Sequence, residues 1–382
     1  MPITTDPVLI VGTGQTPYLR HPSPVVTTAG LLAKAAAEAL AQSGLSRGDI
    51  DGLAVSSFTL APDRAIDLAV KLGLRLRWIM DSGLGGASGI DMVQHARRAI
   101  ESGDARNVLI VAGDRFNDDD FIDLVEHYNS SMEEDFEGLQ GVGPNAIFAL
   151  VTRLQMNKFG LTKADYGSLV CAQREWAARN PNAAYRSSLT LDDYLAAPLV
   201  ADPLTTFDCV PVVAGANALV LATDREAAVM GILVLEVTAS HNHDLHESDG
   251  LQTGLAVAAA ELWQHCGLGP SDIDVMSLYD DYPAVVVAQL IDAGFIGGSD
   301  AAAGLRSLLT SGRILLNTSG GQLSAGQCGA GGGLHGVVEV ARALAGQGQP
   351  LPFRARRGLV AGYGMLAYRY GACSNAALLE VS

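Results

Sequence analysis

Basic residues are scarce in this chain: 25 Lys and Arg stand against 41 Asp and Glu, a formal net charge of −16 over 382 residues. That balance excludes nucleic acid and anionic membrane surfaces as principal partners, because attraction to either rests on clustered cations. Charge of both signs is sparse, at 17%, and no long polar run interrupts the sequence, which excludes extended disordered tails. Cysteine is sparse and irregular. Cys171, Cys209, Cys266, Cys328 and Cys373 show no metal-ligand spacing and read as thiols in a reducing cytoplasm. No apolar run reaches about 18 residues, and Met1 to Val11 lacks a basic segment ahead of an apolar one. Neither a membrane span nor an export signal is expected.

What is abundant is small and apolar. With 48% hydrophobic residues and 43 glycines, the chain predicts a dense, compact fold, and its low surface charge points toward oligomerisation. Its length suits two related halves and an intervening segment better than one undivided domain.

The halves are legible as a repeat. Ala35 to Asp51 recurs as Ala258 to Asp274, with Glu38 and Glu261, Gly44 and Gly267, and Asp49 and Asp272 each separated by 223 positions. An alignment without gaps over this stretch marks one structural unit used twice. Each copy reads as an alanine-rich amphipathic helix, a glycine suited to the left-handed turn that closes it, a polar Asp-Ile-Asp link and an apolar strand. A second echo follows. Gly85 to Gly89 opens a helix through Ala96-Arg97-Arg98-Ala99, and Gly329 to Gly333 opens one through Ala341-Arg342-Ala343. A glycine-rich turn at a helix N-terminus offers unpaired N–H groups to an anion or a developing oxyanion.

Apolar runs at Val8 to Val11, Val108 to Gly113, Asn217 to Ala222, Gly231 to Leu235 and Ala376 to Val381 predict buried strands. Their alternation with helices predicts an α/β fold with a mainly parallel sheet covered on both faces. Between about 114 and 202 the pattern changes to acidic clusters (Asp118 to Asp120, Glu133 to Asp135), aromatic residues and helical stretches such as Ala146 to Phe159. We read it as an insertion positioned to carry substrate contacts. The division expected is 1–228, with the insertion, and 229–382.

Duplicated halves, an inserted segment and four motif loops in order resemble the thiolase superfamily over nearly the whole chain, and specifically its thiolase-like, lipid-transfer-type members related to sterol carrier protein thiolases. The resemblance implies two α/β halves in a layered α-β-α-β-α core. In that family a nucleophilic cysteine opens the first-half helix in a Cys-Gly-Ser-Gly-Leu context; here Gly86-Ala87-Ser88-Gly89-Ile90 falls there, so the cysteine's place is Gly86. The Asn-Glu-Ala-Phe motif falls on Tyr279-Asp280-Asp281-Tyr282. The histidine of Gly-His-Pro falls on Gln327, beside Cys328, and the closing motif resembles Val360 to Met365, with Val360 on the second cysteine. All four reactive positions are changed, so the resemblance implies no cysteine acyl-enzyme.

A related branch of that superfamily cleaves β-hydroxyacyl-CoA thioesters by retro-aldol chemistry, using tyrosines. The resemblance therefore implies Tyr279, Asp280, Tyr282, Gln327 and Cys328 as candidate catalytic residues, and Gly86, Ala87, Ser88 and Gly364 as the cradle of a coenzyme A thioester. It also implies a homodimer and a small zinc-ribbon and OB-fold partner chain. Two other readings stay open: a non-catalytic acyl-CoA or lipid-binding subunit, and an acyltransferase using Cys328. Asp280 and Asp281 have two open readings, orienting a substrate hydroxyl or water, or capping the helix after Pro283, the latter expected for at least one of them. His335 is expected to pack behind the site. His241, His243 and His246 near Asp244 and Glu247 form no expected metal site. Arg153, Lys158, Lys163, Arg174, Arg179 and Arg186 are candidates for CoA phosphates. Gly12-Thr13-Gly14 lacks the rest of a dinucleotide fingerprint.

Overall fold

The computed structural model describes residues 6–60, 62–116, 124, 143–223, 228–245, 247–367 and 370–382; Asp118 to Asp120, Glu133 to Asp135 and His246 lie outside them. The described residues contain twelve strands: β1 (Leu9–Gln15), β2 (Gly52–Ser56), β3 (Trp78–Asp81), β4 (Val108–Asp114), β5 (Leu199–Ala201), β6 (Leu204–Thr205), β7 (Gly215–Ala222), β8 (Ile232–His241), β9 (Val275–Leu278), β10 (Leu315–Leu316), β11 (Arg357–Ala367) and β12 (Tyr370–Val381). Ten of them form one sheet in the order β10-β9-β11-β12-β8-β1-β7-β4-β2-β3, and β5 and β6 form a separate hairpin. The order is a palindrome of two five-stranded halves joined where β1 meets β8, Leu9 opposite Leu233 and Ile10 opposite Ile232.

The sheet is mixed, not mainly parallel. Five of its nine neighbouring pairs are antiparallel. The reason is topological: in each half the last strand returns antiparallel, β7 on β4 after the inserted helices and β12 on β11 by direct reversal. Helix alternation alone does not reveal such returns.

The repeat is structural down to single hydrogen bonds. Helix Thr28–Ser43 ends at Gly44 (φ 72°) and helix Leu255–Cys266 at Gly267 (φ 63°), each followed by a 3-10 turn and a strand. Asp51 Oδ1 accepts from the amides of Arg106 (2.8 Å) and Asn107 (3.0 Å), and Asp274 Oδ2 accepts from those of Arg356 (2.7 Å) and Arg357 (3.1 Å). In both halves the same aspartate ties the start of one strand to the start of its neighbour.

Successive residues of each strand feed different cores, as a period of two requires. Leu53 and Val55 of β2 face helices Thr28–Ser43 and Arg64–Leu72, while Ala54 faces inward. Met276 and Leu278 of β9 face helices Leu255–Cys266, Pro283–Asp292 and Ala301–Ser311, while Val275 faces inward. The inward residues of both halves share a central layer of two helices, Ser88–Glu101 and Gly332–Leu344. The layers thus run α-β-α-β-α. Helices Pro144–Phe159, Lys163–Ala177 and Leu191–Leu195 and the β5–β6 hairpin occupy the segment between β4 and β7.

The central helices meet backbone to backbone at their N-termini. A Cβ at Gly89 would stand 2.0 Å from the carbonyl oxygen of Gly333, and one at Gly333 would stand 2.8 Å from that of Gly86. Backbone cannot yield as a side chain can. Gly89→Ala should therefore lose on the order of 1–3 kcal/mol in urea unfolding, whereas Gly83→Ala, with open space around it, should stay within about 0.5 kcal/mol. Equal stabilities for the two variants would refute this account of the central contact.

Candidate active site

Both central helices are entered through a 3-10 turn whose first residue is a glycine at positive φ, Gly85 (54°) and Gly329 (61°). Beside these turns lies a cavity of about 280 Å³. The first turn contributes Gly85 and Gly86 to its wall, the loop after β9 contributes Tyr279, Asp281 and Tyr282, and β11 contributes Tyr363 to Leu366. Gln327 and Gly329 close another side, and Asn145 and Phe148 reach in from helix Pro144–Phe159.

The wall at Gly86 explains its glycine. A Cβ there would stand 2.2 Å from Cε2 and Cζ of Tyr279 and 2.2 Å from the carbonyl oxygen of Tyr363. The phenol ring of Tyr279 occupies the space that any side chain at position 86 would need. Gly364 completes the fit: a Cβ on it would stand 2.1 Å from the carbonyl oxygen of Leu84 and 2.8 Å from the amide nitrogen of Gly86. β11 therefore presses directly on the helix-opening turn.

Of the candidates from sequence, Tyr279, Tyr282, Gln327, Gly86 and Gly364 line this cavity. Tyr282 is engaged: its ring stacks on Phe148 with centroids 4.3 Å apart, and its hydroxyl donates to Asn145 Oδ1 at 2.7 Å. Burial raises its pKa well above the usual phenol value. Gln327 Oε1 accepts from the Gly329 amide at 3.0 Å, steadying the turn into the second central helix.

Asp280, Cys328, Ala87 and Ser88 are not in the wall. Asp280 is buried, and its carboxyl accepts from the amides of Gln322 (2.8 Å) and Leu323 (3.2 Å) and from Gln173 Nε2 (2.9 Å). It caps the short helix Gly321–Ala325, not the helix after Pro283. Burial raises it to about 8. Cys328 is fully buried between Tyr18, Val213 and Asn217, whose Nδ2 donates to its Sγ at 3.7 Å. Burial pushes this thiol up to about 12, so neither position nor ionisation makes it a nucleophile for the cavity. Ala87 and Ser88 lie fully buried beneath the wall. His335 is likewise interior, with Nδ1 2.7 Å from the Tyr18 hydroxyl and Nε2 2.7 Å from Ser319 Oγ.

Two further wall residues with polar side chains are Tyr363, quoted in the closing motif but given no role there, and Asp281, read from sequence as a group orienting substrate or as a cap. Tyr363 stands with its ring centroid 6.5 Å from that of Tyr279, and its hydroxyl accepts from the Gly371 amide. Asp281 hydrogen-bonds the Tyr279 hydroxyl, and its Oδ1 is buried with no hydrogen-bond partner. Burial raises Asp281 to about 7, against a smaller opposite effect of the tyrosine. The signal for it was available: beyond a strand end, residues two apart share a side, so Tyr279 and Asp281 turn one way and Asp280 the other.

Three of the proposed phosphate-binding cations are engaged elsewhere. Arg153 pairs with Asp202, Lys158 with Asp249 at 2.7 Å, and Arg174 lies buried between the Tyr185 and Phe207 rings with Nε donating to Ser324 Oγ at 2.9 Å. His243 Nε2 lies 3.0 Å from the Gln252 carbonyl, and its ring meets Tyr370 edge-on.

Residues 237–372 match the thiolase C-terminal domain-like family. The chain is 29% identical over 361 residues to 17-hydroxy-3-oxo-4-pregnene-20-carboxyl-CoA lyase of Mycobacterium tuberculosis, covering 88% of this chain and 91% of that protein. It is 27% identical over 340 residues to the steroid side-chain-cleaving aldolase of Thermomonospora curvata, covering 83% and 85%. The fold superposes on a solved Ltp2-ChsH2(DUF35) aldolase with a TM-score of 0.84 over 98% of each chain, at 24% identity. The duplicated sheet and the facing glycine turns have the fold of that neighbour, and the matched domain and these relatives converge on one likeness: the chain is similar to thiolase-like proteins of the lipid-transfer type.

Proposed function

We propose that this protein is a C–C lyase that cleaves a β-hydroxyacyl-CoA thioester into a carbonyl compound and a shortened acyl-CoA, without an acyl-enzyme. The observation that carries the reading is the Tyr279 ring standing over Gly86. The place of a reactive thiol is filled by a phenol held against a helix-opening turn. Retro-aldol cleavage needs a group to receive the β-hydroxyl proton and donors to hold the enolate oxygen that develops on the thioester. Tyr279 suits the first requirement. The turn Gly85–Ala87, at the N-terminus of a fourteen-residue helix, suits the second through its N–H groups and the helix dipole.

Phe58, Phe116, Phe148, Val210, Val212 and Leu366 make the wall mainly apolar, which suits a bulky fatty or steroid skeleton and excludes water from the reacting carbons. The names of the two relatives above point to the same class of substrate. The acyltransferase reading loses its nucleophile, because Cys328 lies outside the cavity. All five cysteines are free, in keeping with a cytoplasmic location, and among the described residues no helix is long and apolar enough to cross a membrane.

The protein, alone and with a DUF35 partner chain of the kind named in the aldolase neighbour, should release ketone or aldehyde and acyl-CoA from a β-hydroxyacyl-CoA, with no acyl adduct in its intact mass. An adduct, or binding without turnover in both preparations, would overturn the lyase. Gly86→Cys should not restore thiolase activity and should cost lyase activity about 100-fold or more, since it displaces the Tyr279 ring; acetyl transfer by that variant would refute the steric argument.

A homodimer belongs to the same proposal. β3 is the end strand of the sheet, and beside it Ile79, Ile66 and Val70 are exposed at 42%, 57% and 75%. An unpaired, apolar edge is satisfied by pairing with a second copy. Light scattering should give twice the chain mass, and Ile79→Lys combined with Val70→Glu should give a monomer; a wild-type monomer would remove this element.

A further inference from the structure

We propose that Asp281 is the catalytic base of the cavity, receiving the β-hydroxyl proton through the Tyr279 hydroxyl and returning it to the enolate carbon. The inference rests on the lyase reading above and identifies the group that takes the proton onward from Tyr279.

The geometry separates this carboxyl from its neighbour in sequence. Asp280 accepts three hydrogen bonds from the surrounding chain and is committed to structure. Asp281 lines the cavity, holds the Tyr279 hydroxyl, and leaves a buried oxygen, Oδ1, without a partner. A buried unsatisfied carboxyl oxygen costs stability and calls for an explanation beyond packing. Among the described residues of the wall it is the only carboxyl, and no Lys, Arg or His accompanies it.

Among the described residues the groups facing it are Tyr279, whose hydroxyl it binds, and Tyr282, whose phenol is raised by burial, by Cys209 and by Asp281 itself. Cys209, also in the wall, is pushed up to about 12, and the adjoining Asp280 is held by backbone amides. None of these supplies a positive charge to keep Asp281 acidic. Its rise to about 7 follows from burial and suits a base working at neutral pH.

The steps balance without an oxidant or a metal. The substrate β-hydroxyl passes its proton to the Tyr279 oxygen as Tyr279 passes its own to the Asp281 carboxylate. The oxygen's electron pair forms the new C=O bond, the Cα–Cβ bond breaks, and its electrons move into the thioester as an enolate. The proton then travels back from Asp281 to Cα and completes the acyl-CoA. A relay of this kind never requires a free tyrosinate, whose formation near neutrality would need a shift of about 3 units from the ordinary phenol value.

Two reactions test the assignment: cleavage of a β-hydroxyacyl-CoA, and exchange of the acyl-CoA α-proton in heavy water, which uses the base without C–C cleavage. Wild-type kcat/KM for cleavage should rise with pH through an acid limb near 7, because only the carboxylate accepts a proton. Asp281→Asn should lose about 100-fold or more in both reactions and lose that limb, while keeping acyl-CoA affinity and a melting temperature no lower than that of the wild type; Asp281→Glu should recover part of the rate with a displaced limb. Asp281→Asn cleaving within about tenfold of wild type, with the limb intact, overturns the role of Asp281 alone. Exchange that depends on Asp281 without any cleavage overturns the lyase and keeps the base. Wild-type protein inert in both reactions overturns both.

Discussion

The contact on which the rest of the molecule depends is the approach of two helix N-termini in the central layer, where Gly89 meets the Gly333 carbonyl without an intervening side chain. Because the two helices belong to different halves, that contact fixes one glycine turn beside the other. Asp114, at the end of β4, reinforces it from below. Its Oδ1 accepts from the amides of Phe58 and Thr59 and its Oδ2 from the amide of Ala330, so a loop of the first half and a turn of the second share one buried carboxyl. The cavity has rigid walls on these two sides because its walls are also the seam of the duplication.

A rigid seam constrains how chemistry can be exchanged. Space above Gly86 is bounded by Tyr279 on one side and by the Tyr363 carbonyl on another, so a side chain on the helix-opening turn and a phenol on the loop after β9 are mutually exclusive. Removing a side chain at one position and enlarging another across the gap preserves the filled volume, which is the change that close-packed interiors tolerate best. On the proposed reading the helix-opening turn keeps its N–H groups while the reactive group stands on the opposite loop. Stability and altered reactivity are thus compatible in one fold.

The repeat was readable because its signals are local. A glycine beyond a helix, an aspartate before a strand and a run of apolar residues each report on a few neighbouring residues, and Asp51 and Asp274 turned out to hold equivalent amides in the two halves. Strand direction was not readable in the same way: β7 and β12 return antiparallel by connections whose geometry is set by the whole half. Motif alignment brought Gly86, Tyr279, Tyr282, Gln327 and Gly364 to the cavity. It failed for Cys328, whose burial depends on Tyr18, Val213 and Asn217, residues more than a hundred positions away. It also gave no role to Tyr363, which reaches the cavity only because β11 packs on the turn before the first central helix.

Asp280 and Asp281 show how little sequence separates structure from chemistry. Both are aspartates, both are raised by burial, and they adjoin one another. The turn after β9 sends one inward to three donors and the other toward the cavity with one donor and an unpaired oxygen. Donors to a carboxylate stabilise its charged form, but burial outweighs them at both positions, and the neighbouring Asp281 charge adds to the rise at Asp280. Between the unfolded carboxylate range and the raised folded values, the folded protein binds more protons than the unfolded chain, so this pair costs stability as pH rises from about 4 to about 8. For Asp280 the cost is offset by the helix Gly321–Ala325 that it caps. Among the described residues Asp281 makes no contact that gives such a return, and on the proposed reading a destabilising group at the cavity wall is accounted for by what enters the cavity.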